Sequence, residues 1–112
     1  MADVGVIGAG SWGTALSVLL DNNGHHVTIW SIDENEIKML DEKREHELKL
    51  PGVKLSEEMA ITGDLEKAVR QKDFLVLAVP SPFTRGTACK MKPYVAEGQI
   101  IVDVAKGIEE DT

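Results

Sequence analysis

Gly8-Ala9-Gly10-Ser11-Trp12-Gly13 stands between a short apolar run, Val4-Gly5-Val6-Ile7, and an apolar-periodic stretch that begins at Ala15. A strand that turns into a helix at such a place can hold the pyrophosphate of a dinucleotide. Gly8 permits the tight turn, Gly10 removes the side chain that would keep the backbone from the phosphates, and Gly13 lets the helix lie close to the strand. The unpaired N–H groups at the start of that helix carry partial positive charge, so they attract an anion without a lysine. Ser11 and Trp12 present such N–H groups whatever their side chains do. The Trp12 ring has two readings that can coexist, one as core and one as a cover over the bound nucleotide.

Glycine spacing alone recurs by chance, and the context decides. An acidic residue about 20 positions past the last glycine, at the end of the second strand, would bond the adenine ribose hydroxyls. Asp33 follows His26-Val27-Thr28-Ile29-Trp30 at that distance. It has a competing duty as the N-cap of the next helix, in a capping box with Glu36. A carboxylate there repels the 2′-phosphate of NADP, and no arginine lies between Trp12 and Asn35 to attract it, so the expected cofactor is NAD or NADP with NAD favoured.

Other residues are weighed against plain structural roles. Lys106 follows an apolar strand and precedes Gly107, which points to a nicotinamide or substrate contact; its point charge suits a phosphate or a polarised carbonyl oxygen. Pro80 and Ser81 shape the loop after another apolar strand and offer a second place for cofactor contacts. Arg85 reads as a carboxylate's partner. His25 and His26 fall on the edge away from the expected crevice, and His46 stays undecided. Cys89 reads as buried packing, since no base adjoins it.

The elements that must position these residues alternate. A helix is expected over 12–22, with Trp12, Leu16, Leu19 and Leu20 as its apolar stripe, closed by Asn22-Asn23-Gly24. Strand two covers 26–30. The next helix starts after Asp33 and enters the charged run 41–49, read as a solvated face, until Leu50-Pro51-Gly52 ends the helical pattern. A third, edge strand is expected over 59–61, then a short helix capped by Asp64 with Leu65, Ala68 and Val69 inward. A continuously apolar strand over 74–79, a helix from Ser81 to about Met91 and a fifth strand over 99–104 follow. This alternation implies an α/β fold, a doubly wound parallel sheet of Rossmann type in the order 3-2-1-4-5. Ligands of such sheets sit outside the carboxyl ends of the strands, so the loops 8–13, 31–33, 80–82 and 105–107 should line one crevice.

The bulk properties bound the rest. With 112 residues the chain is read as one NAD(P)-binding domain, 1–112, short of the length that also carries a substrate domain. A net charge of −7 argues against nucleic-acid or anionic-membrane partners. One cysteine forbids an internal disulfide, and no metal site can be built from thiolates. No stretch approaches the ~18 consecutive apolar residues of a membrane span, and no leader is seen, so a cytoplasmic location without membrane insertion is expected.

Taken in order, Gly-Ala-Gly-Ser-Trp-Gly-Thr-Ala-Leu from Gly8, Leu50-Pro51-Gly52, Thr62-Gly63-Asp64-Leu65, Ala78-Val79-Pro80-Ser81 with Arg85, Lys92-Pro93 and Lys106-Gly107-Ile108-Glu109 resemble the bacterial NAD(P)-dependent glycerol-3-phosphate dehydrogenases. The resemblance spans the whole chain. It implies the cofactor-binding part of an enzyme that reduces dihydroxyacetone phosphate to sn-glycerol 3-phosphate for glycerophospholipid synthesis, usually as a homodimer. Ser11, Trp12 and Lys106 match cofactor-contacting positions, with Lys106 also reaching substrate, and the proton-donating lysine is expected beyond Thr112. The chain departs from many relatives at Ile32, where they carry arginine or histidine, at Lys49, where they carry an aromatic, and at His46, where they carry asparagine. Two alternatives stay open: another nicotinamide-dependent dehydrogenase acting on a hydroxy acid or sugar acid, and a non-catalytic NAD(H)-binding redox sensor.

Overall fold

Apolar runs long enough to be covered on both faces pair side by side in the computed structural model, which describes residues 2–9, 11–46, 50–78, 86–87, 89–96 and 98–103. In chain order the elements are β1 (Asp3–Ile7), α1 (Ser11–Asn22), β2 (His26–Trp30), α2 (Glu34–Lys43), β3 (Glu45–His46), β4 (Leu50–Lys54), β5 (Ala60–Thr62), α3 (Leu65–Val69), β6 (Phe74–Leu77) and β7 (Ile100–Asp103). Gly86, Thr87 and Cys89 to Met91 are helical, and a 3₁₀ turn, Lys92–Tyr94, follows with Pro93 at its start. The main sheet has the order β5-β2-β1-β6-β7, all parallel. Counted by its own strands this is the expected 3-2-1-4-5. Ile7 lies beside Trp30 and Leu77, Trp30 beside Thr62, and Leu77 beside Asp103, so the carboxyl ends align along one edge.

The two sheet faces bury separate clusters. Val4, Val6, Val27, Ile29 and Val76 pack with Leu40 of α2 and with Leu55 and Met59, while Leu16, Val18 and Leu20 of α1 join from the side. Ile7, Trp30, Leu75 and Leu77 pack with Ala68 and Val69 of α3 and with Met91 on the other face. Gly5 allows the second layer to come close: a Cβ there would lie 2.0 Å from the carbonyl oxygen of Ala68.

Four expectations are corrected. Of the expected stripe Leu16 and Leu20 pack against the core while Leu19 is 57% exposed, and the most buried face of α1 is Gly13, Thr14 and Ser17. Only small side chains fit where the helix approaches the sheet so closely, and the larger ones flank the contact. Thr14 Oγ1 donates to Ala9 O at 3.1 Å and Ser17 Oγ to Gly13 O at 2.7 Å, which satisfies both buried hydroxyls. The edge strand starts one residue late, at Ala60, because Met59 turns into the core instead. Cys89 is exposed rather than buried.

The largest correction is the charged run. α2 stops at Lys43, and Arg44 closes it in the left-handed conformation (φ 53°, ψ 40°), its N–H donating to Leu40 O. Glu45–His46 then pairs antiparallel with Leu50–Lys54. Lys54 Nζ lies 2.8 Å from Glu45 Oε1, and Gly52 N–H donates to Oε2 at 3.1 Å. The hydrogen bond from Lys54, then that from Gly52, holds the Glu45 carboxyl below its ordinary range. This contact is complete above the ordinary carboxylate range and is lost as pH falls through the lowered value.

Candidate dinucleotide site

The glycine turn leaves the carboxyl end of β1, the central strand. Gly8 has φ 120°, a backbone state that L side chains rarely adopt, and its N–H donates to Trp30 O at 2.9 Å. Its carbonyl oxygen lies under the start of α1: a Cβ on Gly13 would stand 2.0 Å from Gly8 O and 3.4 Å from the Cβ of Ala78, just past β6. The first turn of this 12-residue helix holds no acidic side chain. Its leading N–H groups have no intrahelical acceptor. A positive helix start pressed onto a glycine turn between two strand ends suits an anion such as a pyrophosphate in charge. Gly10 lies outside the described residues, as do the side chains of Ser11 and Trp12, including the ring for which two roles are expected.

Asp33 stands on the neighbouring loop, after β2, at the same edge. It is the N-cap of α2, with φ −94° and ψ 113°. Capping occupies one of its two oxygens. Oδ1 accepts from Asn35 N–H at 2.9 Å and from Glu36 N–H at 3.4 Å, and the exposed carboxylate keeps Oδ2 for another donor. Beside it Ile32 is 76% exposed, and the loop and first turn carry Asp33, Glu34 and Glu36 without a cation. Ser31, by contrast, is buried, and its hydroxyl joins Glu36. Ser31 carries a signal in the sequence, a hydroxyl residue two before an acidic N-cap and five before a second carboxylate.

Pro80, Ser81, Arg85 and Lys106 lie outside the described residues. The strands that precede them, β6 and β7, end at the same edge as β1 and β2. His25 and His26 sit at the opposite edge, where Ala2 N–H donates to His25 Nδ1 at 3.1 Å and His26 Nδ1 lies 3.9 Å from Asp3 Oδ1. The His46 side chain is outside the described residues. Among the described residues no group of three or more His, Cys, Asp or Glu is placed to hold a metal ion, and no helix is long and apolar enough to cross a membrane.

Residues 3–112 match the family model described as the NAD-dependent glycerol-3-phosphate dehydrogenase N-terminus. The chain belongs to this glycerol-3-phosphate dehydrogenase family. A curated relative from Agathobacter rectalis, named glycerol-3-phosphate dehydrogenase [NAD(P)+], is 66% identical over all 112 residues, which make up 33% of its own length. A relative of the same name from Fusobacterium nucleatum is 48% identical over the same span, again 33% of its length. The crystal structure of glycerol-3-phosphate dehydrogenase from Coxiella burnetii superimposes with a TM-score of 0.86 at 25% identity, over 91% of this chain and 31% of that one. The chain therefore spans about a third of the length of the curated glycerol-3-phosphate dehydrogenases it matches.

Proposed function

We propose that this chain, residues 1–112, is the cofactor-binding domain of an enzyme that reduces dihydroxyacetone phosphate to sn-glycerol 3-phosphate with NADH or NADPH, NADH being favoured. The close seating of α1 on the glycine turn, where Gly13 leaves no room for a Cβ, is the observation that carries the reading. Gly8, Gly10, Ser11, Trp12 and Gly13 would hold the pyrophosphate and Asp33 the adenine ribose. Pro80, Ser81 and Lys106 would line the nicotinamide end, with Lys106 also meeting the substrate. When bound, the reduced nicotinamide supplies hydride to the ketone carbon. The chain's own task is to bind and orient that cofactor, while a lysine from a further, helical domain donates the proton. The product would feed glycerophospholipid synthesis in the cytoplasm, in an enzyme that is a homodimer at full length.

Titrating the chain with NADH, followed by nicotinamide fluorescence, is expected to give saturable binding at one site. Adding dihydroxyacetone phosphate is expected to leave NADH unoxidised. No saturation, or turnover by the chain alone, would sink the reading.

Asp33→Asn separates charge from capping, because asparagine caps helices about as well as aspartate. We expect the unfolding midpoint to hold while the ratio of the NADPH Kd to the NADH Kd narrows by roughly fivefold, as the repulsion of the 2′-phosphate is removed. An unchanged ratio in parallel calorimetric titrations would show that Asp33 does not set the preference.

A further inference from the structure

In an ordinary capping box the carboxylate three residues into the helix accepts from the N–H of the N-cap residue itself. Here a hydroxyl is inserted. Asp33 N–H donates to Ser31 Oγ at 3.1 Å, Ser31 Oγ donates to Glu36 Oε1 at 2.5 Å, and Glu36 N–H donates back to Asp33 Oδ1 at 3.4 Å. The ring is closed by three residues and centred on a side chain that is 2% exposed. It is also tied to the sheet, since Ser31 N–H donates to Thr62 O at 3.2 Å just past β2. A buried hydroxyl that both accepts and donates has little freedom to turn, and members of such a ring polarise one another. The consequence falls on Asp33, whose backbone and whose Oδ1 are both fixed from within the ring, which sets the direction of Oδ2.

We infer that Ser31 and Glu36 are positioning residues for the Asp33 carboxylate, holding Oδ2 as a pre-aimed acceptor for the adenine ribose hydroxyls. This rests on the proposal that Asp33 meets the ribose. Neither residue touches the cofactor; both act through Asp33. Ser31 therefore contributes to affinity only while Asp33 is present, which a merely structural serine would not.

The test is a double-mutant cycle read by NADH affinity in the 112-residue chain, with thermal unfolding measured alongside. Ser31→Ala is expected to raise the NADH Kd roughly fivefold, the scale of one lost hydrogen bond. In the Asp33→Ala background the same change is expected to leave the Kd where Asp33→Ala alone puts it. Glu36→Ala should repeat both results if Ser31→Ala folds poorly. Glu36→Gln, whose amide oxygen still accepts from Ser31, should keep affinity near that of the unmodified chain. Equal effects of Ser31→Ala and Glu36→Ala with and without Asp33, or no effect in either background, would overturn the positioning role alone. An unmodified chain that does not bind NADH, or an Asp33→Ala chain that binds it equally well, would overturn the ribose contact and this role with it.

Discussion

Gly13→Ala is expected to raise the Kd for NADH by about a hundredfold and to lower the unfolding midpoint. The added methyl would stand 2.0 Å from Gly8 O and 2.9 Å from Gly8 C, and both are backbone atoms. They cannot turn aside, because the Gly8 N–H is held by Trp30 O and the Cβ of Ala78 closes the other side at 3.4 Å. The start of α1 must retreat by roughly 1 Å to restore ordinary contact distances. Overpacking of this kind costs about 1–3 kcal/mol of stability. The retreat strains the bonds that Thr14 and Ser17 make on the buried face, which tie the helix to the turn and to its own first turn. It also carries the leading N–H groups away from the phosphates. Each hydrogen bond to a charged group contributes about 1.5–3 kcal/mol, so weakening two of them suffices for the hundredfold loss. Calorimetric titration with NADH checks the first effect and thermal unfolding the second. A variant that is destabilised yet binds NADH within threefold of the unmodified chain would separate the glycine from the anion site.

What could be read in the sequence follows from what each element depends on. β1, β2 and β6 are runs whose composition suits a strand buried on both faces, and Gly8 to Gly13 encodes a local turn, so both were legible without knowing the rest of the fold. Asp33 was legible as a cap, and the structure gives Oδ1 to that task. Ser31 was not legible, since its place in a ring depends on where α2 begins relative to β2. Leu19 misled because apolar spacing cannot tell a stripe that faces the sheet from one displaced by the close approach at Gly13. The β3–β4 hairpin was hidden by its charges. Glu45 and Lys54 face one another across it, and Pro51 and Gly52 sit inside its longer strand, a composition that argues against a strand when read alone.

That hairpin is held by a residue that the sequence places in a solvated run, and Arg44→Met is expected to destabilise the chain by about 2 kcal/mol. The Arg44 guanidinium donates from Nη1 to Met59 O at 2.7 Å and to Ser56 O at 3.3 Å, and from Nη2 to Asp41 Oδ1 at 3.2 Å. Its carbonyl accepts from Leu55 N–H at 2.6 Å. One side chain thus ties the end of α2 to the segment that delivers Leu55 and Met59 into the core, both nearly fully buried. Methionine keeps the apolar stem and much of the packing but donates nothing, so the Met59 carbonyl loses its guanidinium donor while the Ser56 carbonyl keeps the Met59 N–H at 3.2 Å; leaving an acceptor such as Met59 O unpaired costs about 1–3 kcal/mol. The exposed pair with Asp41 adds little, because surface ion pairs contribute only about 0–1 kcal/mol. Arg44→Lys restores charge without the planar fork that reaches both carbonyls, and should fall between the two. For a domain of this size the methionine variant would melt roughly 8 °C lower. NADH affinity should stay within twofold, since Asp33 and the glycine turn lie at the other ends of α2 and the sheet. Urea unfolding that places Arg44→Met within 0.5 kcal/mol of the unmodified chain would show that the hairpin is held by its own strand pairing and that the guanidinium is incidental.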